Sequence, residues 1–63
     1  MLDYIDNIEY ALAELGIKSY HTSEYPRTNL FVENDGALYT FVLLENDLLN
    51  WKSTLNKILK GIS

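Results

Sequence analysis

The chain has 63 residues, no cysteine, one histidine and a formal net charge of −4. Those figures exclude disulfides, thiolate metal centres and a histidine-rich metal site. The five Lys and Arg residues form no cluster, which argues against direct binding of nucleic acid, where a basic stripe is normal.

Hydrophobic residues make up 48% and charged residues 22%, the balance of a globular rather than a disordered chain. A single domain over 1–63 is expected. A domain this short buries only about 60% of the surface exposed on unfolding, so its core is marginal without a staple or a partner. Oligomerisation is the expected support. No apolar run reaches the roughly 20 residues of a membrane span. MLDYIDNIEY at 1–10 carries acids where a signal peptide needs bases. With no cysteine, a reducing, cytoplasmic setting is expected.

The first predicted element is a helix over 2–15. Leu2, Ile5, Ile8, Leu12 and Leu15 recur at three- and four-residue steps. Tyr4, Ile5, Ile8, Ala11, Leu12 and Leu15 then share one face, and Asp3, Asp6, Asn7, Tyr10 and Glu14 the other. Early acids suit the helix dipole, and Gly16 suits a left-handed C-terminus. Residues 17–22 read either as a short edge strand or as ordered loop. A turn is expected over 23–26, because Pro26 holds Tyr25 extended.

Next comes a hairpin with strands at 29–34 and 37–44. Asp35-Gly36 supplies the positive φ angles of a two-residue type I′ turn. That turn sets Asn34 opposite Ala37, Val32 opposite Tyr39 and Leu30 opposite Phe41. One face carries Leu30, Val32, Tyr39, Phe41 and Leu43. The other carries Phe31, Leu38, Val42 and Leu44, diluted by Asn29, Glu33 and Thr40.

A second helix is predicted over 46–60, capped by Asn46 or Asp47. Leu48, Trp51, Leu55, Ile58, Leu59 and Ile62 share its inner face, and Gly61 marks its stop. The first helix has four acids and no base; the second, over 47–60, has one acid and three lysines. Their charges favour side-by-side packing, worth at most about 1 kcal/mol for an exposed pair. The fold class is therefore α+β: helix, antiparallel β-hairpin or three-stranded meander, helix.

Function is read from the hairpin. With both helices on the Leu30 face, Phe31, Leu38, Val42 and Leu44 look outward. Fully burying each would be worth roughly 1.5–3 kcal/mol, against a total stability of about 5–15 kcal/mol. The alternative has the helices straddling the sheet and covering both faces. The open arrangement makes the outer face an interface for a second copy or another protein. A free strand edge could also pair with its own copy, and a homodimer is expected.

Asp3, Asp6, Tyr10 and Glu14 form an acidic face that is either a solvated surface or a contact for a basic partner. Tyr20 and Tyr25, near Arg27, either cap the core or serve as contact residues. His21 with Glu24 lacks the pocket and third group that catalysis needs. Asp35-Gly36 and Glu45-Asn46-Asp47 lack EF-hand spacing. No phosphate loop, zinc motif or nucleophile elbow is present.

The resulting expectation is a small acidic, non-enzymatic interaction protein, without cofactor, metal or small-molecule substrate, that binds and inhibits a larger partner protein. A bacteriophage or mobile element is the context that such size and chemistry suggest. The alternatives are a dimeric nucleic-acid-binding regulator using Lys52, Lys57 and Lys60, and a structural subunit of a larger assembly.

Overall fold

Helix α1, Tyr4–Glu14, opens the computed structural model, which describes residues 3–63. The Asp6 carboxylate reaches back to accept the Asp3 amide at 3.3 Å, satisfying a donor that no helical turn precedes. Leu2, expected in the first turn, lies outside the described residues. At the other end Gly16 takes φ +78°. There the Ile17 amide donates to the Leu12 carbonyl, and the Gly16 amide to that of Ala13, both at 2.9 Å. This paired arrangement ends the helix and turns Ile17 back onto the core. Leu15, expected on the inner face, sits just past the last turn and is exposed, as is Tyr4.

Three antiparallel strands follow, β1 (Lys18–Glu24), β2 (Arg27–Asn34) and β3 (Ala37–Leu43), in the order β1-β2-β3. The expected pairings of Asn34, Val32 and Leu30 with Ala37, Tyr39 and Phe41 are present. The segment expected over 17–22 as an edge strand or ordered loop is a strand from Lys18, and it runs further, to Glu24. The turn expected over 23–26 is only Tyr25-Pro26, joined by a cis peptide bond, with Glu24 already paired to Arg27.

The predicted second helix is two helices, α2 (Glu45–Leu49) and α3 (Trp51–Ile62), broken at Asn50. Asn50 leaves helical geometry at ψ 47°, and its side-chain amide bonds the Asn46 carbonyl at 3.0 Å. The Asn50 backbone amide donates to the same carbonyl at 3.1 Å, so the ladder holds up to this residue. The break removes the helical partner of the Asp47 carbonyl, and the buried Thr54 hydroxyl takes its place, donating at 2.6 Å. Neither Asn46 nor Asp47 occupies the capping position. Leu44 does, and Asp47 accepts its amide at 2.9 Å from the first turn. Gly61 does not stop the helix; it lies inside α3, where a Cβ would sit 3.4 Å from the Phe41 ring.

The helices share one side of the sheet. Ile5, Ile8 and Leu12 of α1, Leu30 and Val32 of β2, Leu43 of β3, and Ile58 and Ile62 of α3 form the buried core. Helix α1 packs beside α3. Among the described residues no lysine lies within 4.0 Å of a carboxylate, so apolar contact rather than charge holds the two together.

Candidate functional site

Side chains alternate along a strand, so β2 and β3 each present two faces. On the helix-covered face Leu30, Val32 and Leu43 are buried, and Tyr39 and Phe41 are partly buried. On the opposite face the register sets Lys18, Glu33 and Leu38 in one row, Tyr20, Phe31 and Thr40 in the next, and Thr22, Asn29 and Val42 in a third. Leu44, extended at φ −103° and ψ 173°, continues the outward parity beyond β3.

All four residues expected to look outward are on this side. Leu38 is 61% exposed, Val42 57% and Leu44 50%, while Phe31 is half-buried. The cover on Phe31 comes from Tyr20, whose ring lies 4.9 Å away with the planes 22° apart. Tyr20 is therefore part of the face, although it was expected near a loop or over the core. Only the β1 register places it there, and no periodicity in KSYHTSE announces it. A polar corner borders the patch, where the Asn29 amide donates to Glu24 at 3.2 Å and to Thr22 at 3.4 Å.

The acidic stripe of α1 separates into two parts. Asp3, Tyr10 and Glu14 are exposed, Tyr10 at 66%. Asp6 is half-buried, turned toward β1. Its carboxylate, that of Glu9 and the His21 ring nitrogen all lie within 4.8 Å of one another, and His21 Nδ1 is 3.1 Å from Glu9. His21 does not meet Glu24. Residues three apart on a strand point to opposite faces, and His21 is on the helix-covered side. Each member of the trio already has a partner within the fold: Glu9 for His21, and the Asp3 amide for Asp6.

At the β1–β2 turn Tyr25 is 94% exposed, so it does not cap the core. It borders a surface hollow of about 330 Å³ with Arg27 and Leu48. Lys52, Lys57 and Lys60 are exposed on α3, with Lys52 Nζ 5.8 Å from the centre of the Trp51 ring. No helix among the described residues is long and apolar enough to cross a membrane.

No protein-family model matches the chain, and no curated protein or solved structure shows significant similarity to it. The functional reading therefore rests on surface chemistry alone.

Proposed function

We propose that the chain is a small, non-catalytic interaction protein that binds a larger protein partner through the uncovered face of its sheet and inhibits it by occupying a surface. What supports this is one observation: Leu38, Val42 and Leu44 stay half or more exposed, while on the other face of the same hairpin Leu30, Val32 and Leu43 are buried and Tyr39 and Phe41 are partly covered. Exposed apolar area of this kind is costly to leave wet and gains roughly 25 cal/mol per Å² when covered. Tyr20 and Phe31 add a stacked aromatic pair, the residue type enriched at binding hot spots. The Asp3, Tyr10 and Glu14 stripe lies on the outer surface of α1, where acidic groups steer a basic partner and raise the association rate.

The test compares capture of protein partners by immobilised wild-type chain and by two surface variants. Val42→Asp, alone or with Phe31→Ser, is expected to abolish capture of the specific partner. Tyr10→Ala with Glu14→Lys is expected to slow its association. Asp6 is left unchanged in this set because its carboxylate holds the Asp3 amide. Capture of the same partner by wild type and Val42→Asp alike would overturn the assignment of the face.

A further inference from the structure

We propose that the free edge of β3 pairs antiparallel with β3 of a second copy, about a twofold axis through Thr40. The pairing extends the interaction reading above, since it would set two open faces side by side, but it is judged on the isolated chain.

The two sheet edges differ in chemistry. Among the described residues β2 is central, and neither β1 nor β3 has a strand on its far side. Strand β1 carries Lys18, His21 and Glu24, and charges at an edge discourage strand addition. Strand β3 reads ALYTFVL, without charge, proline or glycine. Two of the usual protections of an edge, charged side chains and proline, are absent there.

Backbone parity fixes which groups are free. Asp35 and Gly36 have φ +53° and +78°, the pattern of a two-residue I′ turn. Its closing pair, Asn34 and Ala37, is hydrogen-bonded, and the bonded pairs then recur at every second residue: Val32 with Tyr39, Leu30 with Phe41, Thr28 with Leu43. The amides and carbonyls of Leu38, Thr40 and Val42 therefore point away from β2, toward the free edge.

A twofold axis at Thr40 satisfies all three residues together. Thr40 meets Thr40 of the second copy, and Leu38 meets Val42 in both directions. An axis centred elsewhere on the strand leaves one of the three beyond its partner. The side chains agree with the backbone. On the open face, the exposed Leu38 becomes the cross-strand neighbour of the exposed Val42 of the other copy. On the covered face, Tyr39 meets Phe41, both only partly buried against the core. The strand is thus self-complementary on both faces in the one register that uses every free backbone group.

The experiment is sedimentation velocity on the purified full chain over a concentration series, with far-UV circular dichroism on each variant. The wild type is expected to dimerise. Thr40→Pro removes an edge amide that β2 does not use, so dimerisation should weaken by about tenfold or more, with helix and sheet signals retained. Because Thr40→Pro could disturb the strand, Thr40→Lys and Thr40→Glu form a second arm. Each alone places like charges on the axis and should weaken the dimer, and an equimolar mixture should restore it.

Register is read by oxidative crosslinking. Two copies of residue 40 face each other within disulfide reach, whereas two copies of residue 38 stand about 14 Å apart along the strands. Thr40→Cys should therefore crosslink at least about tenfold faster than Leu38→Cys. A wild type that stays monomeric up to about millimolar concentration overturns the proposal and leaves the partner-binding test untouched. A dimer insensitive to Thr40→Pro and to both charges overturns the edge, and equal crosslinking at 38 and 40 overturns the register.

Discussion

Tyr20 and Phe31 stack across β1 and β2, with ring centroids 4.9 Å apart, on the face of the sheet that no helix covers. The pair explains why Phe31 is half-buried while Leu38 and Val42 on the neighbouring strand are open. An aromatic pair contributes about 0.5–1.5 kcal/mol beyond area burial. Tyr20→Ala is accordingly expected to lower stability by about 1 kcal/mol in urea unfolding and to leave the Phe31 ring free to reorient, visible in its aromatic NMR shifts. No loss of stability would mean that the stack is not formed in solution.

Val42 and Leu30 sit on opposite faces of one hairpin, and their variants should separate accordingly. Leu30 is fully buried, so Leu30→Ala should cost about 2–5 kcal/mol and take much of the stability of so small a domain. Val42→Asp should cost about 1 kcal/mol or less, mostly lost strand preference. Urea midpoints check the pair, and a Val42→Asp chain that fails to fold would show that the open face is closed in solution.

Two glycines should respond to alanine with opposite signs. Gly16 holds φ +78° at the end of α1, where a Cβ costs roughly 1–2 kcal/mol whatever the free space. Gly61 lies in α3, and the Phe41 ring at 3.4 Å is in ordinary van der Waals contact with the added carbon. Gly61→Ala should then stabilise by about 0.5–1 kcal/mol through helix propensity and the restricted unfolded chain. For a domain of this size 1 kcal/mol corresponds to about 4–8 °C in Tm, so thermal unfolding resolves the two signs.

Thr54 tests the break between α2 and α3. Its buried hydroxyl donates to the Asp47 carbonyl at 2.6 Å. Thr54→Val keeps the shape and leaves that acceptor unsatisfied, which should cost about 1–3 kcal/mol. Thr54→Ser keeps the bond and should recover most of the loss. Equal losses in both variants would assign the effect to packing alone.

By itself the sequence determined α1 and the hairpin. The spacing of Ile5, Ile8 and Leu12 names a helical face, Gly16 a left-handed stop, and Asp35-Gly36 a turn whose geometry dictates the register of both strands. All of that information lies within a few residues of where it acts, in backbone sterics and side-chain period. Listing Phe31, Leu38, Val42 and Leu44 as one face needed nothing more than the turn and the alternation.

Tertiary structure decided what depends on distant neighbours. KSYHTSE has no apolar alternation, and β1 exists because its backbone pairs with β2. His21 joins Glu9 from a helix twelve residues away rather than Glu24, because α1 lies over the inner side of β1. The period of α2 and α3 reads through Asn50, yet the helix breaks there, and the Thr54 hydroxyl takes over the Asp47 carbonyl. Gly61, a stop by local rules, became a helical residue packed against Phe41. The alternation pointed the helices to the Leu30 face but left open a straddling arrangement that covers both faces. That was settled when Leu30 and Val32 met Ile8, Leu12 and Ile58 in one apolar core, since only contact between segments far apart in the chain removes that surface from water.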